Sequence, residues 1–344
     1  MIRMKTLMIG LGLVGCLGLL QAQEGARGGA AQTWWVHKTK GGIYPPPMRP
    51  LWKLADLKKM HAGQNNWSEQ IIKDPEQDAT YNSAAPGTKF PRRLHPDTHN
   101  IYVIIAGEMR FTIEGQQPVT ATRGSIVNVL KSTIFSYEVA GNQNALWVDV
   151  SPNNYKTVYP SDDPQPAPLA GTEVIKVSFN HAVPAYAPPN QVQWNLFEAA
   201  AKCNQAGAKV NEDHLFANPL YGFADPNDPL NTCAAAAADG GARGGRGGRG
   251  GGGAGGRGAA PAAAFNPNST FGHMHAGPAE WWIVQVGHIS GQFENTGEFL
   301  AEEGDVLYAA PMTWHQMGFQ GPGPSCRLAM GGYSLINMNN TGGQ

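Results

Sequence analysis

From about residue 100 onward, apolar and polar residues follow one another in short runs that glycine punctuates. The stretch 100–115 (NIYVIIAGEMRFTIEG) holds an apolar run, a glycine turn at Gly107 and an alternating strand. Two further short strands are predicted at 123–130 (RGSIVNVL) and 144–150 (NALWVDV). The same order returns at 280–294 (EWWIVQVGHISGQFE), 304–311 (GDVLYAAP) and 327–335 (RLAMGGYSL). Short strands broken by glycine, in two copies, predict an all-β chain of two jelly-roll barrels. Helical periodicity is confined to 51–62 (LWKLADLKKMHA) and 194–205 (WNLFEAAAKCNQ). Residues 33–90 are Pro-rich and irregular, which suits an arm laid along a barrel.

Composition separates the two copies. Residues 240–258 are almost wholly Gly and Arg, a tract that buries no core and reads as a solvated spacer. Its Arg243, Arg246, Arg249 and Arg257 have the look of nucleic-acid-binding repeats, but the net charge of -1 and 15% charged residues give no basic surface for such a partner. The organisation expected is a leader at 1–22, a first barrel with its arm at 33–200, an insertion and spacer at 201–264, and a second barrel at 265–344. The leader has Arg3 and Lys5, an apolar run from Leu7 to Leu20, then Gln21-Ala22, as an export signal does. Cleavage after Ala22 would release a free protein into the periplasm or medium. Leu13-Val14-Gly15-Cys16 also resembles the bacterial lipoprotein box, so a lipid on Cys16 is the one membrane attachment the sequence offers. In an oxidising compartment Cys203 and Cys233 would staple the polar segment between them, and Cys326 reads as a small buried apolar residue.

One stretch carries chemistry. HMHAGPAEWWIVQVG, residues 273–287, puts His273 and His275 one residue apart and Glu280 just beyond a Gly-Pro loop. Residues two apart on a strand share a face, so both imidazoles can address one ion. Glu280 adds a carboxylate from the adjoining strand, and His315, after a strand that ends in a proline turn, adds a third imidazole. Three neutral imidazoles and one carboxylate suit a redox-capable divalent ion such as Mn or Fe, with Cu, Ni and Zn also compatible. Trp282 falls on the same face as Glu280, and Met312, Trp314 and Met317 flank His315. Together they predict a pocket wall for an organic small molecule, an aromatic one included.

The spacing His273-x-His275-x4-Glu280-x6-Gly287, then Gly304-Asp305 and Pro311-x3-His315, resembles the two motifs of the cupin superfamily. The family places Pro-x-Gly before its last histidine. Here Pro311-Met312-Thr313-Trp314 shifts the proline by one position, while Gly304 and His315 stay eleven apart. The resemblance spans about 90–152 and 265–336 and implies two cupin barrels (double-stranded β-helices), a bicupin. It implies one metal per chain, held by His273, His275, Glu280 and His315. Aligning Gly107 with Gly287 and Gly124 with Gly304 sets Arg93, His95, Asn100 and Phe135 in the ligand positions of the first barrel, so three of its four ligands are missing. An offset site of His95, His99 and Tyr102 is the alternative there. The function expected is a metal-dependent oxidoreductase of dioxygenase type acting on a small organic or phenolic compound, with Glu280 as the catalytic carboxylate. A decarboxylase, lyase or isomerase, and a non-catalytic ligand- or carbohydrate-binding bicupin, stay open, as does an oligomeric state.

Overall fold

The computed structural model describes residues 34–164, 167–168, 170–188, 190–197, 210–212, 215–223, 272–320, 324–332 and 337–339. Within them one helix, Leu54–Met60, accompanies strands that form four antiparallel sheets. No helix among these residues is long and apolar enough to cross a membrane. The leader, Cys16, the Cys203 and Cys233 pair and the Gly/Arg tract lie outside the described residues.

The first barrel faces a six-stranded sheet against a four-stranded one. The larger runs Gln193–Asn195, Ser125–Val129, Asn100–Ala106, Ala145–Pro152, Gln77–Ala84, Trp67–Lys73. The smaller runs Lys89–Arg93, Phe135–Ala140, Glu108–Ile113, Val119–Thr122. In the second barrel the larger sheet runs Leu51–Trp52, Val306–Ala309, Glu280–Val286, Pro324–Gly331, Leu215–Phe223, Val210–Glu212. Opposite it lie Gly297–Ala301, His288–Phe293, His315–Gln320, His273–Met274 and Met338–Asn339. Every sequence-predicted strand is present. Gly107 and Gly287, both at positive φ, make the tight turns between the first two strands of each copy. A Cβ on Gly107 would sit 2.6 Å from the carbonyl oxygen of Asn144, so the neighbouring backbone leaves room for glycine alone.

Three expectations need correction. The stretch 67–84, read as part of an irregular arm, is a strand pair at the edge of the first barrel, and its alternation was hidden by polar residues on a half-buried face. Val210–Glu212 and Leu215–Phe223, read as part of an insertion, are strands of the second barrel, with Leu215–Phe223 paired to Pro324–Gly331. Trp194 and Asn195, the first two residues of the stretch read as helical, instead end the strand Gln193–Asn195 paired to Ser125–Val129; the stretch turns helical at 196–197, and its remainder lies outside the described residues.

The chain does not finish one barrel before starting the other. Leu51 and Trp52 pair with Leu307 and Val306, so the arm closes the edge of the second barrel before the first is built. Strand alternation then makes two-faced sheets. Tyr102, Ile104, Val127 and Trp147 fill the first interior, and Trp282, Val284, Leu307 and Ala329 the second. The opposite faces (Ile101, Val103, Val148 and Val150; Trp281, Ile283, Leu328 and Met330) meet in a third core shared by both barrels. Burying each such side chain contributes roughly 1.5–3 kcal/mol, which makes this shared core a main source of cohesion.

Candidate metal centre

His273 opens a two-residue strand whose Cα partner is His315 at the start of Gln320's strand, so two imidazoles meet across one sheet. Gly272, at positive φ, lets that strand approach, since a Cβ there would meet the carbonyl oxygen of His315 at 2.6 Å. Glu280 begins the facing sheet's strand, paired to Ala309 and Gly331. The backbone N–H of Met312 donates to the carbonyl of His275 at 3.0 Å and ties the two ligand-bearing turns together.

The four side chains converge. Oε2 of Glu280 lies 2.8 Å from His275 Nε2, 3.1 Å from His315 Nε2 and 3.7 Å from His273 Nε2. His315 Nε2 and His273 Nε2 are 3.2 Å apart, and all four donor atoms lie within 4.8 Å of one another. Among the described residues this is the one such group of three or more His, Cys, Asp or Glu. The side chains of His275 and His315 are 3% and 1% exposed and His273 is 29% exposed, so the cluster opens to solvent on the His273 side.

Protonation states follow from the partners. His315 Nδ1 is 2.9 Å from the carbonyl oxygen of Thr313, which can only accept, so Nδ1 carries the proton and Nε2 turns its lone pair to the cluster. Burial lowers the pKa of His315, against the pull of Glu280, and favours the neutral ring. Burial pushes the Glu280 carboxyl up, but the three imidazoles outweigh it and hold the group well below the ordinary range, ionised. Lone pairs of imidazole and carboxylate aimed at one point repel unless a cation lies among them. The donor set therefore fits a transition-metal ion, with His273, His275, Glu280 and His315 holding it.

The first barrel repeats the architecture without the ligands. At a constant offset of 180 positions, Arg93 pairs with Phe135 as His273 pairs with His315, and Asn100 pairs with Val129 as Glu280 pairs with Ala309. Phe135 and Tyr102 are fully buried, and Tyr102 packs on the rings of Phe111, Phe135 and Tyr137. His95 gives its Nδ1 proton to the carbonyl of Lys156 at 3.0 Å and lies against Phe135 and Tyr155, and burial lowers its pKa to about 4. Asn100 donates to Asp149 at 3.1 Å. Packing and hydrogen bonds thus engage the residues at the ligand positions of the first barrel.

The expected pocket wall divides in two. Trp282 is buried, with its ring 5.2 Å from that of His315, and Met317 packs against the same interior. Met312 and Trp314 are partly exposed in the turn before His315 and lie outside that interior packing. Cys326 is buried, as its apolar reading requires. Sequence reasoning missed the supports of the site. Glu294 accepts from the backbone N–H of Trp314 and from Lys38, which fastens the arm over the His315 turn. Gln77 of the first barrel accepts from Trp281 Nε1 at 2.6 Å and donates to the carbonyl of Gly331 at 2.7 Å. Apart from the Glu294–Trp314 bond, these links join positions more than 200 residues apart, and no local pattern announces them.

Comparison with known proteins agrees with this architecture. The family model described as "Cupin domain" matches residues 83–151. No curated protein matches the sequence. Among solved structures, salicylate 1,2-dioxygenase from Pseudaminobacter salicylatoxidans is similar at a TM-score of 0.53 and 11% identity, over 86% of this chain and 85% of that one. A point variant of a salicylate 1,2-dioxygenase, in complex with gentisate, aligns at a TM-score of 0.52 and 11% identity, over 82% and 81% of the two chains. A variant of oxalate decarboxylase from B. subtilis aligns at 0.45 and 10% identity, over 91% and 89%. At these identities the likeness is one of fold.

Proposed function

For a chain that carries the cupin fold in two barrels, with residues 83–151 a cupin domain, we propose that the protein is an exported metal-dependent oxidoreductase of dioxygenase type. Its substrate in this reading is a small organic or phenolic compound, and its cofactor one divalent transition metal per chain, Mn or Fe before Cu, Ni or Zn. The observation that carries the proposal is the convergence of His273, His275, Glu280 and His315 in the second barrel, on the side open at His273. An ion held there would supply Lewis acidity and, if redox-active, one-electron chemistry toward O2. The chain's own groups do the rest. Glu280 stays ionised to offset the ion's charge and accepts hydrogen bonds from whatever reaches the open side. The Thr313 carbonyl fixes the tautomer of His315. Trp282, Phe293 and Met317 exclude water from the interior. The fold shared with salicylate 1,2-dioxygenase supports an oxygen-using reading above the others.

The test is elemental analysis of untagged protein, followed by oxygen uptake with a panel of phenols and aromatic acids. Uptake that depends on metal and substrate is the expected result. Turnover without uptake selects a decarboxylase, lyase or isomerase, and binding without turnover a non-catalytic role. Export is checked by intact mass from a secreting host, where loss of residues 1–22 is expected and lipid on Cys16 would mark a membrane anchor.

A further inference from the structure

Among the described residues, a cation inside the second barrel has no ion-pair partner. Arg327 lies on Pro324–Gly331, where Leu328 and Met330 face the shared core and Ala329 faces the barrel interior. Strand alternation gives Arg327 the interior face. Its guanidinium carbon lies 5.9 Å from the Trp282 ring and 5.2 Å from that of Phe319. Nε and Nη1 are shut off from solvent and hydrogen-bond nothing, and Trp282 Nε1 is in the same condition. The residue as a whole keeps partial exposure.

Burying an unpaired charge costs several kcal/mol, and chains do not keep one for packing. The first barrel shows the alternative. At the offset of 180, the counterpart of Arg327 is Trp147, a buried ring that fills the same position with no charge. Nor does the interior balance Arg327. Among the described residues the carboxylate whose charge Arg327 feels is Glu280, which the three imidazoles already engage. A divalent ion in that cluster leaves the interior with an excess of positive charge. A planar fork with two idle donors between aromatic rings matches a carboxylate on an apolar body. The register sets the spacing. Val284 pairs with Arg327 and Glu280 with Gly331, so anchor and cluster stand four residues apart on adjacent strands, about 13 Å at the backbone. Both side chains reach into that interval.

We propose that Arg327 anchors the carboxylate of an organic acid inside the second barrel, with the acid's apolar body laid against the Trp282 ring on the side of the His/Glu cluster. This rests on the reading of that cluster as a metal site for small-molecule chemistry, and it narrows the substrate to an acid. The same indole and guanidinium donors would serve together, Trp282 Nε1 beside Arg327 Nε and Nη1.

The experiment is calorimetric titration of benzoate, with benzamide as its uncharged counterpart, into wild-type protein, Arg327→Met and Arg327→Lys, each metal-free and Mn-loaded. Benzoate is expected to bind wild type and to lose at least tenfold in affinity in Arg327→Met. Arg327→Lys keeps the charge without the fork and should fall in between, while benzamide should bind all three alike. The unfolding midpoint of Arg327→Met should equal or exceed that of wild type, since an unpaired charge has gone. Should that variant fail to fold, Arg327→Lys carries the test, and unchanged benzoate affinity there overturns the anchor. Equal benzoate binding by Arg327→Met also overturns it, as does a wild type that binds none of benzoate, acetate and oxalate. The anchor and the reaction fail separately. Benzoate binding without oxygen uptake removes the dioxygenase reading and leaves the anchor. Uptake with an uncharged phenol that Arg327→Met leaves unaltered removes the anchor and leaves the reaction.

Discussion

Glu280 is held ionised in a nearly closed pocket by three imidazoles, and a single-atom change separates its two roles. Glu280→Gln keeps the shape and one acceptor oxygen but removes the charge that offsets a divalent ion. Mn titration should show affinity falling by one to two orders of magnitude, about 1.4–2.8 kcal/mol. His315→Ala removes a ligand outright and should abolish stoichiometric metal, while circular dichroism stays that of a folded barrel. Retained metal in that variant would sink the site. Asp149, in the vestigial site of the first barrel, answers to pH instead. Burial raises its pKa from 3.8 to about 6, against the Asn100 hydrogen bond and the charge of Arg93. The folded chain thus binds this proton more tightly than the unfolded chain does. The resulting stability is complete below about pH 4 and is lost as pH rises through 6, about 3 kcal/mol in all. Asp149→Asn should match wild type near pH 4 and gain on it toward pH 7, as urea unfolding at each pH would measure. The convergence of His273, His275, Glu280 and His315 was legible in the sequence, because a strand puts the two histidines two apart on one face and the spacing of all four resembles the cupin motifs. Arg327 was not, since its meaning lies in the hydrogen bonds it lacks, which no spacing records.

At the level of elements, the strand that carries Glu280 is held from behind by the other barrel. Gln77 binds the indole of Trp281, next to Glu280, and the carbonyl of Gly331, the Cα partner of Glu280. Gln77→Leu would leave the Trp281 N–H buried without a partner at a cost of about 1–3 kcal/mol. Metal affinity should drop with it by roughly tenfold or more, as loss of a supporting contact does. Trp281→Phe, which removes the donor from the other side, should reproduce the affinity loss. A metal titration unmoved by both changes would reduce Gln77 to a packing residue. The strands of each copy could be read from their alternation and glycine turns. Trp67–Lys73 and Gln77–Ala84 could not, because polar positions such as Gln77, Asn82 and Ser83 are buried there, Gln77 by partners more than 200 residues away and the other two by hydrogen bonds within the neighbouring strand and turn. Leu215–Phe223 was obscured by a Pro-containing sequence that finds its place against Pro324–Gly331.

Among the described residues there is one His/Glu cluster and there are three apolar cores. Inductively coupled plasma analysis should give close to one transition metal per chain, and a reproducible value near two would restore a site at His95. Because Ile101, Val103, Trp281 and Leu328 share a core across the barrels, neither can unfold without baring the other's apolar face. Heat should therefore unfold the chain in one transition by both tryptophan fluorescence and far-ultraviolet dichroism, and two separated transitions would contradict the shared core.

The arm strand Leu51–Trp52 sets a timetable. Its partner, Val306–Leu307, leaves the ribosome long after it, and the Leu54 N–H that donates to Asp305 waits across 251 residues. At about 5–20 residues per second, that wait is roughly 13–50 s of synthesis. During it the first barrel can close, but its inter-barrel face stays wet and sticky. Such a nascent chain is a natural client for a holding chaperone, and a chain kept unfolded until fully made is also one that an export channel can thread.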